Sequence, residues 1–278
     1  MGIRSKGAVI RPSVTGAVRS GYHPRDAKEV NLSLVIPVFN SRDFIESNLR
    51  NAATYLSLLG EHNEIVVVDD ASTDGTTAIL ESLTEKITEV SYLHLRNETN
   101  QGKGYSVRRG LDVARGRHLV FNDADFTYPI GEVGRLVSYL DEGADVVIGC
   151  RIHPDSRYEI GPQFIPYFYT RHVMSRFFNR IVNLVLGLGL RDTQAGIKGF
   201  RRDAARAIFA NQSLNRFSFD LEVLYIARKL GLEIREAPIR FLYRKEPSTV
   251  KFFRDSVQIL VDILRIRARS FLGKYTSR

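Results

Sequence analysis

Cysteine is almost absent from this chain: Cys150 is the only one in 278 residues. A single thiol excludes an internal disulfide and suits a reducing compartment. No Cys/His cluster has the spacing of a zinc site. Long apolar runs are missing as well. A membrane-spanning helix needs about 20 apolar residues, and the longest candidate, Ile181 to Leu190, is short and contains Asn183. The N-terminus has no apolar h-region, so no signal peptide is expected. The expected location is cytoplasmic, either soluble or peripheral on the inner face of the membrane. Acidic residues are outnumbered: 31 Asp and Glu against 40 Lys and Arg leave a net charge of +9. That excess implies an anionic partner, whether nucleic acid, a phosphorylated substrate or an acidic membrane surface. A nucleic-acid binder would need a recognition motif or a basic stripe with stacking aromatics. Neither is present, so nucleic acid is not an expected partner.

The pattern that is present is an alternation of short apolar strands with helical segments. Residues 1–30 read as a basic arm without a clear period. Leu32 to Pro37, Glu64 to Asp69, Val90 to Leu95, Arg117 to Asn122 and Asp145 to Gly149 read as strands. Segments at Ser41–Leu59, Thr76–Leu83, Lys103–Arg115 and Glu132–Asp141 read as helices. Near-continuous apolar strands between helices predict an α/β fold with a mostly parallel sheet covered on both faces. Ligands in such sheets sit beyond the carboxyl ends of the strands. Farther on, Pro166 to Leu186 and 214–230 have helical spacing, Leu232 to Phe241 reads as extended, and Val250 to Phe271 predicts a long amphipathic helix. The predicted division is an arm at 1–30, a main domain at 31–246 with a helix at about 164–190, and a basic amphipathic helix at 247–278.

Three of the predicted strand ends carry polar residues: Pro37-Val38-Phe39-Asn40, Asp69-Asp70-Ala71-Ser72 and Asp123-Ala124-Asp125. A carboxylate pair at a strand end suits a hard divalent cation. Mg²⁺ and Mn²⁺ take oxygen ligands, commonly one or two carboxylates plus substrate phosphates. The plainer reading of Asp123 and Asp125 is a solvated turn. Asp69 and Asp70 could accept hydrogen bonds from a base or ribose, or simply cap the following helix. Gly102-Lys103-Gly104 precedes a helix, where free N–H groups favour a phosphate. The plainer reading there is a turn, and the spacing is not that of a Walker A loop.

The order of these motifs resembles family 2 glycosyltransferases of the GT-A fold, across roughly Leu32 to Lys251. The motifs are Ile36-Pro37-Val38-Phe39-Asn40, Val68-Asp69-Asp70-Ala71-Ser72-Thr73-Asp74-Gly75-Thr76, Asn100-Gln101-Gly102-Lys103-Gly104 and Asp123-Ala124-Asp125. Within that family the chain looks most like polyprenyl-phosphate (dolichyl-phosphate) glycosyltransferases, and Gln194 and Phe217-Ser218-Phe219-Asp220 are nearer the glucosyl type. The resemblance implies a donor nucleotide site at Pro37, Phe39, Asn40, Asp69, Asp70, Lys103, Asp123, Ala124, Asp125 and Arg244. Ser41 stands where the family often has Glu. Asp123 and Asp125 match the metal-binding motif, for Mg²⁺ or Mn²⁺. The run from Asp192 to Phe200 resembles the donor-sugar loop, with Asp192 and Gln194 toward the sugar, and Arg151, Arg171 and Ser175 match positions that bind the lipid phosphate. Arg171, Ser175 and Asn179 share one face of a helix.

The reaction the resemblance implies is displacement with inversion at the anomeric carbon, with UDP-glucose the favoured donor and a polyprenyl phosphate the acceptor. Catalysis would rest on Asp123, Asp125, Arg151 and Arg171, with Asp192, Asp220 and Glu222 as candidate bases or orienting groups. Mannose or N-acetylhexosamine donors and a soluble acceptor are the alternatives. The basic amphipathic segments at 164–190 and 250–274 are expected to meet an anionic membrane surface. Core packing or a homo-oligomer interface would use the same stripes.

Overall fold

The computed structural model describes residues 29–243 and 252–276; for 165–174, 177 and 252–257 it describes the backbone alone. The main sheet contains β1 (Leu32–Val38), β2 (Asn63–Asp69), β3 (Ser91–Arg96), β4 (His118–Asn122), β5 (Val146–Cys150), β7 (Ile197–Arg201) and β8 (Ile234–Pro238). Their order is β3-β2-β1-β4-β7-β5-β8. β1 to β4 run parallel, β5 and β8 run parallel, and β7 lies antiparallel between β4 and β5. A small parallel pair, β6 (Arg157–Ile160) and β9 (Arg240–Tyr243), stands beside it.

Alternate side chains of each strand feed opposite faces. Leu34, Ile36, Ile65, Val67 and Val147 pack beneath α1 (Ile45–Leu59), α2 (Thr76–Lys86) and α4 (Gly131–Asp141). Val35, Val66, Val68, Phe121 and Phe200 pack beneath α3 (Lys103–Val113), α5 (Ile165–Leu186), α6 (Arg202–Phe209), α7 (Phe219–Lys229) and α8 (Phe252–Phe271). The GT-A-type α/β expectation therefore holds. The C-terminal helix is not separate from the core, because α8 buries Ile263 and Ile266 in the second face.

Four readings of the sequence change. The first turn expected at Ser41 is not helix; α1 begins at Ile45. The helix expected from 214 begins at Phe219, because the wholly buried Glu222 carboxylate accepts hydrogen bonds from Ser213 N (2.9 Å) and Leu214 N (2.7 Å) and folds that segment back. The extended run at 232–241 divides into β8 and β9, which belong to different sheets. Residues 192–200, expected as one loop, are half strand: β7 begins at Ile197.

Candidate functional site

The C-terminal ends of β1, β2 and β4 converge on one edge of the sheet, and each is followed by a non-glycine residue with positive φ. These are Asn40 (49°), Ala71 (62°) and Phe126 (44°). Left-handed backbone at non-glycine residues is uncommon and concentrates at functional sites. Side-chain bonds hold the turns. Asn40 Oδ1 accepts from Thr73 N at 2.9 Å, and Asn40 N donates to Ser72 Oγ at 2.9 Å. Phe39 projects from the edge, 48% exposed. Asn48 Nδ2 donates to the Ala124 carbonyl at 2.8 Å and fixes the third turn.

Asp69 and Asp70 do different work. Asp69 holds its own turn, accepting from Ser72 N (2.9 Å) and Thr77 Oγ1 (2.6 Å), with Arg96 Nε 3.6 Å from Oδ2. Asp70 reaches across to the next loop. It accepts from Asn97 Nδ2 (2.6 Å), Gln101 N (2.8 Å) and Gly102 N (2.8 Å). The N–H groups of Gln101 and Gly102 are thus given to Asp70, so of that loop only the N–H groups from Lys103 onward could face a phosphate. Its glycines serve geometry. Gly102 has φ +97°, and a Cβ on Gly104 would lie 2.5 Å from Phe219 Cβ. The plain capping reading fails for Asp70 too, since none of these partners belongs to α2.

The loop that Asp70 holds delivers Lys103 to the carboxylate pair. Lys103 Nζ lies 2.6 Å from Asp123 Oδ1. Burial opposes its charge, yet Asp123 and Asp220 together hold the ammonium above its ordinary value. Burial and the neighbouring Asp123 charge raise the Asp125 carboxyl, although Thr127 N donates to it at 2.9 Å. Two repelling carboxylates at a sheet edge fit a hard divalent cation. Among the described residues no third His, Cys, Asp or Glu joins them. The remaining ligands would have to be oxygens from elsewhere, such as a diphosphate.

Three buried residues that sequence reading missed complete this wall. Gly196 lies so close to Asp123 that a Cβ there would stand 1.9 Å from Oδ2. Lys198 on β7 is fully buried, with Nζ 2.5 Å from Asp220 Oδ1 and 2.7 Å from the Ala195 carbonyl. Burial lowers its ammonium pKa against the pull of Asp220. Tyr128 is buried, with Arg151, Asp192 and Asp123 all within electrostatic reach of its hydroxyl. One lysine inside a strand carries no periodic signal, so only the alternation around β7 could have revealed Lys198.

On the second side, Arg151 follows β5 and closes a fork on Asp192, Nε to Oδ2 at 2.7 Å and Nη2 to Oδ1 at 2.8 Å. The Arg151 guanidinium holds the Asp192 carboxyl below the usual carboxylate range, overcoming its burial. Glu236, also missed, accepts from the backbone N of Arg191 and Asp192 and sets that loop. Gln194 is half-buried two residues on. Asn179 does not stand free for an acceptor: it donates to the Leu190 and Arg191 carbonyls and accepts from Thr193 Oγ1 at 2.9 Å. It ties α5 to the Asp192 loop, with Ser175 one turn earlier and half-buried. Arg171 lies two turns earlier on α5, where its side chain is outside the described residues, as is all of Arg244.

None of the three candidate bases is unencumbered. Asp192 is held by Arg151, Asp220 by Lys198, and Glu222 by Ser213, Leu214 and Tyr275. Glu222 is thereby corrected to a structural role.

Residues 33–209, more than half of the chain, match the Glycosyl transferase family 2 profile. The chain belongs to that family. It is 30% identical over 254 residues to a dolichyl-phosphate beta-glucosyltransferase of Dictyostelium discoideum, covering 88% of this chain and 76% of that one. The corresponding Saccharomyces cerevisiae protein is also 30% identical, over 90% of this chain and 78% of its own. Among solved structures, glucosyl-3-phosphoglycerate synthase from Mycobacterium tuberculosis, in complex with Mn²⁺, UDP and glucosyl-3-phosphoglycerate, superposes with a TM-score of 0.59. It is 19% identical, with 85% of this chain and 80% of that one covered. That likeness is one of fold. The chain is a glycosyltransferase, and the edge where β1, β2 and β4 end is its candidate active site.

Proposed function

We propose that this glycosyltransferase moves a hexose, glucose in preference, from a uridine diphosphate sugar to a polyprenyl phosphate. The observation that carries the reading is the joining of two charged clusters, the Asp123/Asp125/Lys103 group and the Arg151–Asp192 fork, by the short segment that runs from Asp192 to Gly196 against Asp123. The names of the relatives supply the sugar and the acceptor class.

Pro37, Phe39 and Asn40 line the first strand end and would take the base and ribose. Asp70 and Asp69 act through the loops they hold. Asp123 and Asp125 would hold Mg²⁺ or Mn²⁺, which when bound supplies positive charge to the leaving diphosphate. Lys103 adds charge on the same side. Arg151, Arg171 and Ser175 would hold the acceptor phosphate, and Asp192 and Gln194 would orient the sugar. A phosphate oxygen attacks the anomeric carbon as the bond from that carbon to the diphosphate oxygen breaks, with the electron pair leaving on the nucleoside diphosphate. A phosphate is largely ionised near neutral pH, its second pKa being about 6. The step then needs orientation more than a base, in keeping with three candidate carboxylates that are all engaged.

A lipid acceptor calls for a surface that meets the membrane. No helix among the described residues is long and apolar enough to cross one. On α8, Leu260, Leu264 and Phe271 are 45%, 66% and 93% exposed on one stripe, with exposed Arg267 between them. Arg265 is engaged with Asp262, and Arg269 stacks on Tyr275. Among the described side chains of this segment that leaves Arg267 and Lys274, whose electrostatic attraction to an anionic inner leaflet is about 2 kcal/mol, at ~1 kcal/mol for each basic residue. Such binding is peripheral and salt-sensitive.

The test is a matrix of UDP-glucose, GDP-mannose and UDP-N-acetylglucosamine against short polyprenyl phosphates and small phosphorylated alcohols, with Mg²⁺, Mn²⁺ or EDTA. UDP-glucose with a polyprenyl phosphate should give the fastest transfer, lost in EDTA. Transfer to small phosphorylated alcohols alone would refute the acceptor class, and undiminished turnover in EDTA would refute the metal.

A further inference from the structure

A buried ammonium–carboxylate pair seldom repays its desolvation in stability. Lys198 and Asp220 form such a pair close to the active-site edge. Lys198 Nζ also binds the Ala195 carbonyl at 2.7 Å. The next residue, Gly196, is the one whose absent Cβ leaves room for Asp123 Oδ2. Asp220 directly follows Phe219, whose ring lies 5.9 Å from Lys103 Nζ, and that ammonium sits 2.6 Å from Asp123 Oδ1. Each oxygen of Asp123 therefore meets a group next to a residue that adjoins or binds one member of the pair. Both ammonium groups also lie over the Phe121 ring, at 5.7 Å for Lys103 and 5.6 Å for Lys198. Phe121 and Lys198 are register partners on β4 and β7, and β4 is the strand that delivers Asp123.

We propose that the Lys198–Asp220 pair is a positioning device for Asp123, setting Lys103 against one carboxylate oxygen and the Ala195–Gly196 turn against the other. Neither Lys198 nor Asp220 needs to touch substrate. The proposal rests on the reading of Asp123 as a metal-side carboxylate, and it adds what aims that carboxylate. It explains why a charged pair stays inside a core where leucine and methionine would pack as well.

The deciding variant is Lys198→Met with Asp220→Leu, which removes the pair as a unit and leaves no buried charge uncompensated. Mn²⁺ binding in the presence of UDP is read by the EPR signal of free Mn²⁺, and hydrogen exchange is read at 194–198 in metal-free protein. The expected result is a melting temperature near that of the parent, Mn²⁺ affinity at least tenfold weaker, kcat reduced more than KM for the donor is raised, and faster exchange at 194–198. Unchanged exchange there overturns the positioning role whether or not the parent binds Mn²⁺; a parent that binds no Mn²⁺ counts instead against the metal reading. A folded double variant with parental Mn²⁺ affinity and kcat also overturns it. If the double variant does not fold, Lys198→Arg decides, since it keeps a cation for Asp220 but loses the ammonium on the Ala195 carbonyl. Parental Mn²⁺ affinity in that variant, or failure of both variants to fold, assigns the pair to core stability alone.

Discussion

Replacing Gly196 by Ala puts a methyl group where the Asp123 carboxylate stands. The added Cβ would lie 1.9 Å from Oδ2 and 2.7 Å from Cγ, whereas ordinary contact begins near 3.4 Å. Relief therefore needs a displacement of about 1.5 Å, and core contacts behind the strand resist a matching shift of β7. Gly196 is not among the glycines with positive φ, so the backbone accepts alanine and the whole effect arises from that contact. Moving Asp123 breaks its ion pair with Lys103 and misaligns it with Asp125. A misplacement of about 1 Å at a reacting centre can cost 10²-fold. The expected loss in kcat/KM is thus on the order of a hundredfold, ~2.7 kcal/mol at 1.36 kcal/mol per tenfold. The cost to folding is that of a single overpacked methyl, about 1–3 kcal/mol. Steady-state transfer kinetics, Mn²⁺ titration and a thermal melt on the same preparation separate the two. A folded Gly196→Ala protein with parental kcat/KM would refute the placement of Asp123 at the reacting edge.

Asp125→Asn should abolish transfer with little change in the melting temperature, because Asp125 is exposed and the change removes its repulsion with Asp123; a marked drop in melting temperature contradicts this. Asp70→Asn replaces an acceptor of three hydrogen bonds by an amide that presents two donors. It should cost about 1–3 kcal/mol and raise KM for the donor through a loosened 101–103 loop, and an unchanged KM would count against that coupling. Leu264→Glu on the exposed stripe of α8 should weaken flotation with anionic vesicles at low salt without altering the melt, and equal flotation would remove that stripe from the membrane model. Burial holds the imidazoles of His94 and His118 below their ordinary value, against the charges of Asp69 and Asp141. As pH falls from about 7 to 5 the unfolded chain takes up these protons first, so stability drops by at most ~1.4 kcal/mol per pH unit for each group. In urea melts His94→Gln should gain on the parent as pH falls across that range, and a pH-independent difference would exclude the contribution.

The sheet was legible where strands are apolar and uninterrupted: β1, β2 and β4 announce themselves, and their polar ends mark the edge that matters. Legibility fails where tertiary contacts override local pattern. β7 is interrupted by Lys198 and Gly199, so it reads as loop, although the lysine is buried and paired. Glu222 looks like a candidate base in sequence and proves to be the clasp that holds 213–214. Asp69 and Asp70 are adjacent and chemically identical, and only the fold shows that one bonds its own turn and pairs with Arg96 while the other reaches a loop 31 residues away. The Arg151–Asp192 fork joins two residues that the resemblance assigned to different ligands. Such pairings depend on which strand ends face each other, and no local spacing encodes that.

The antiparallel insertion of β7 makes strand register a ruler for chemistry. Asn122 is opposite Ile197, so the chain leaving β4 toward Asp123 passes the chain entering β7 from Gly196. A slip of one residue would bring Ala195 or Ile197 to that position and turn Lys198 to the other face of the sheet. A strand error that many proteins would absorb as a repacked core would here shift Gly196 against the carboxylate that pairs with Lys103. Insertions in the loop joining α5 to β7 should therefore be tolerated only as far as they leave that register alone.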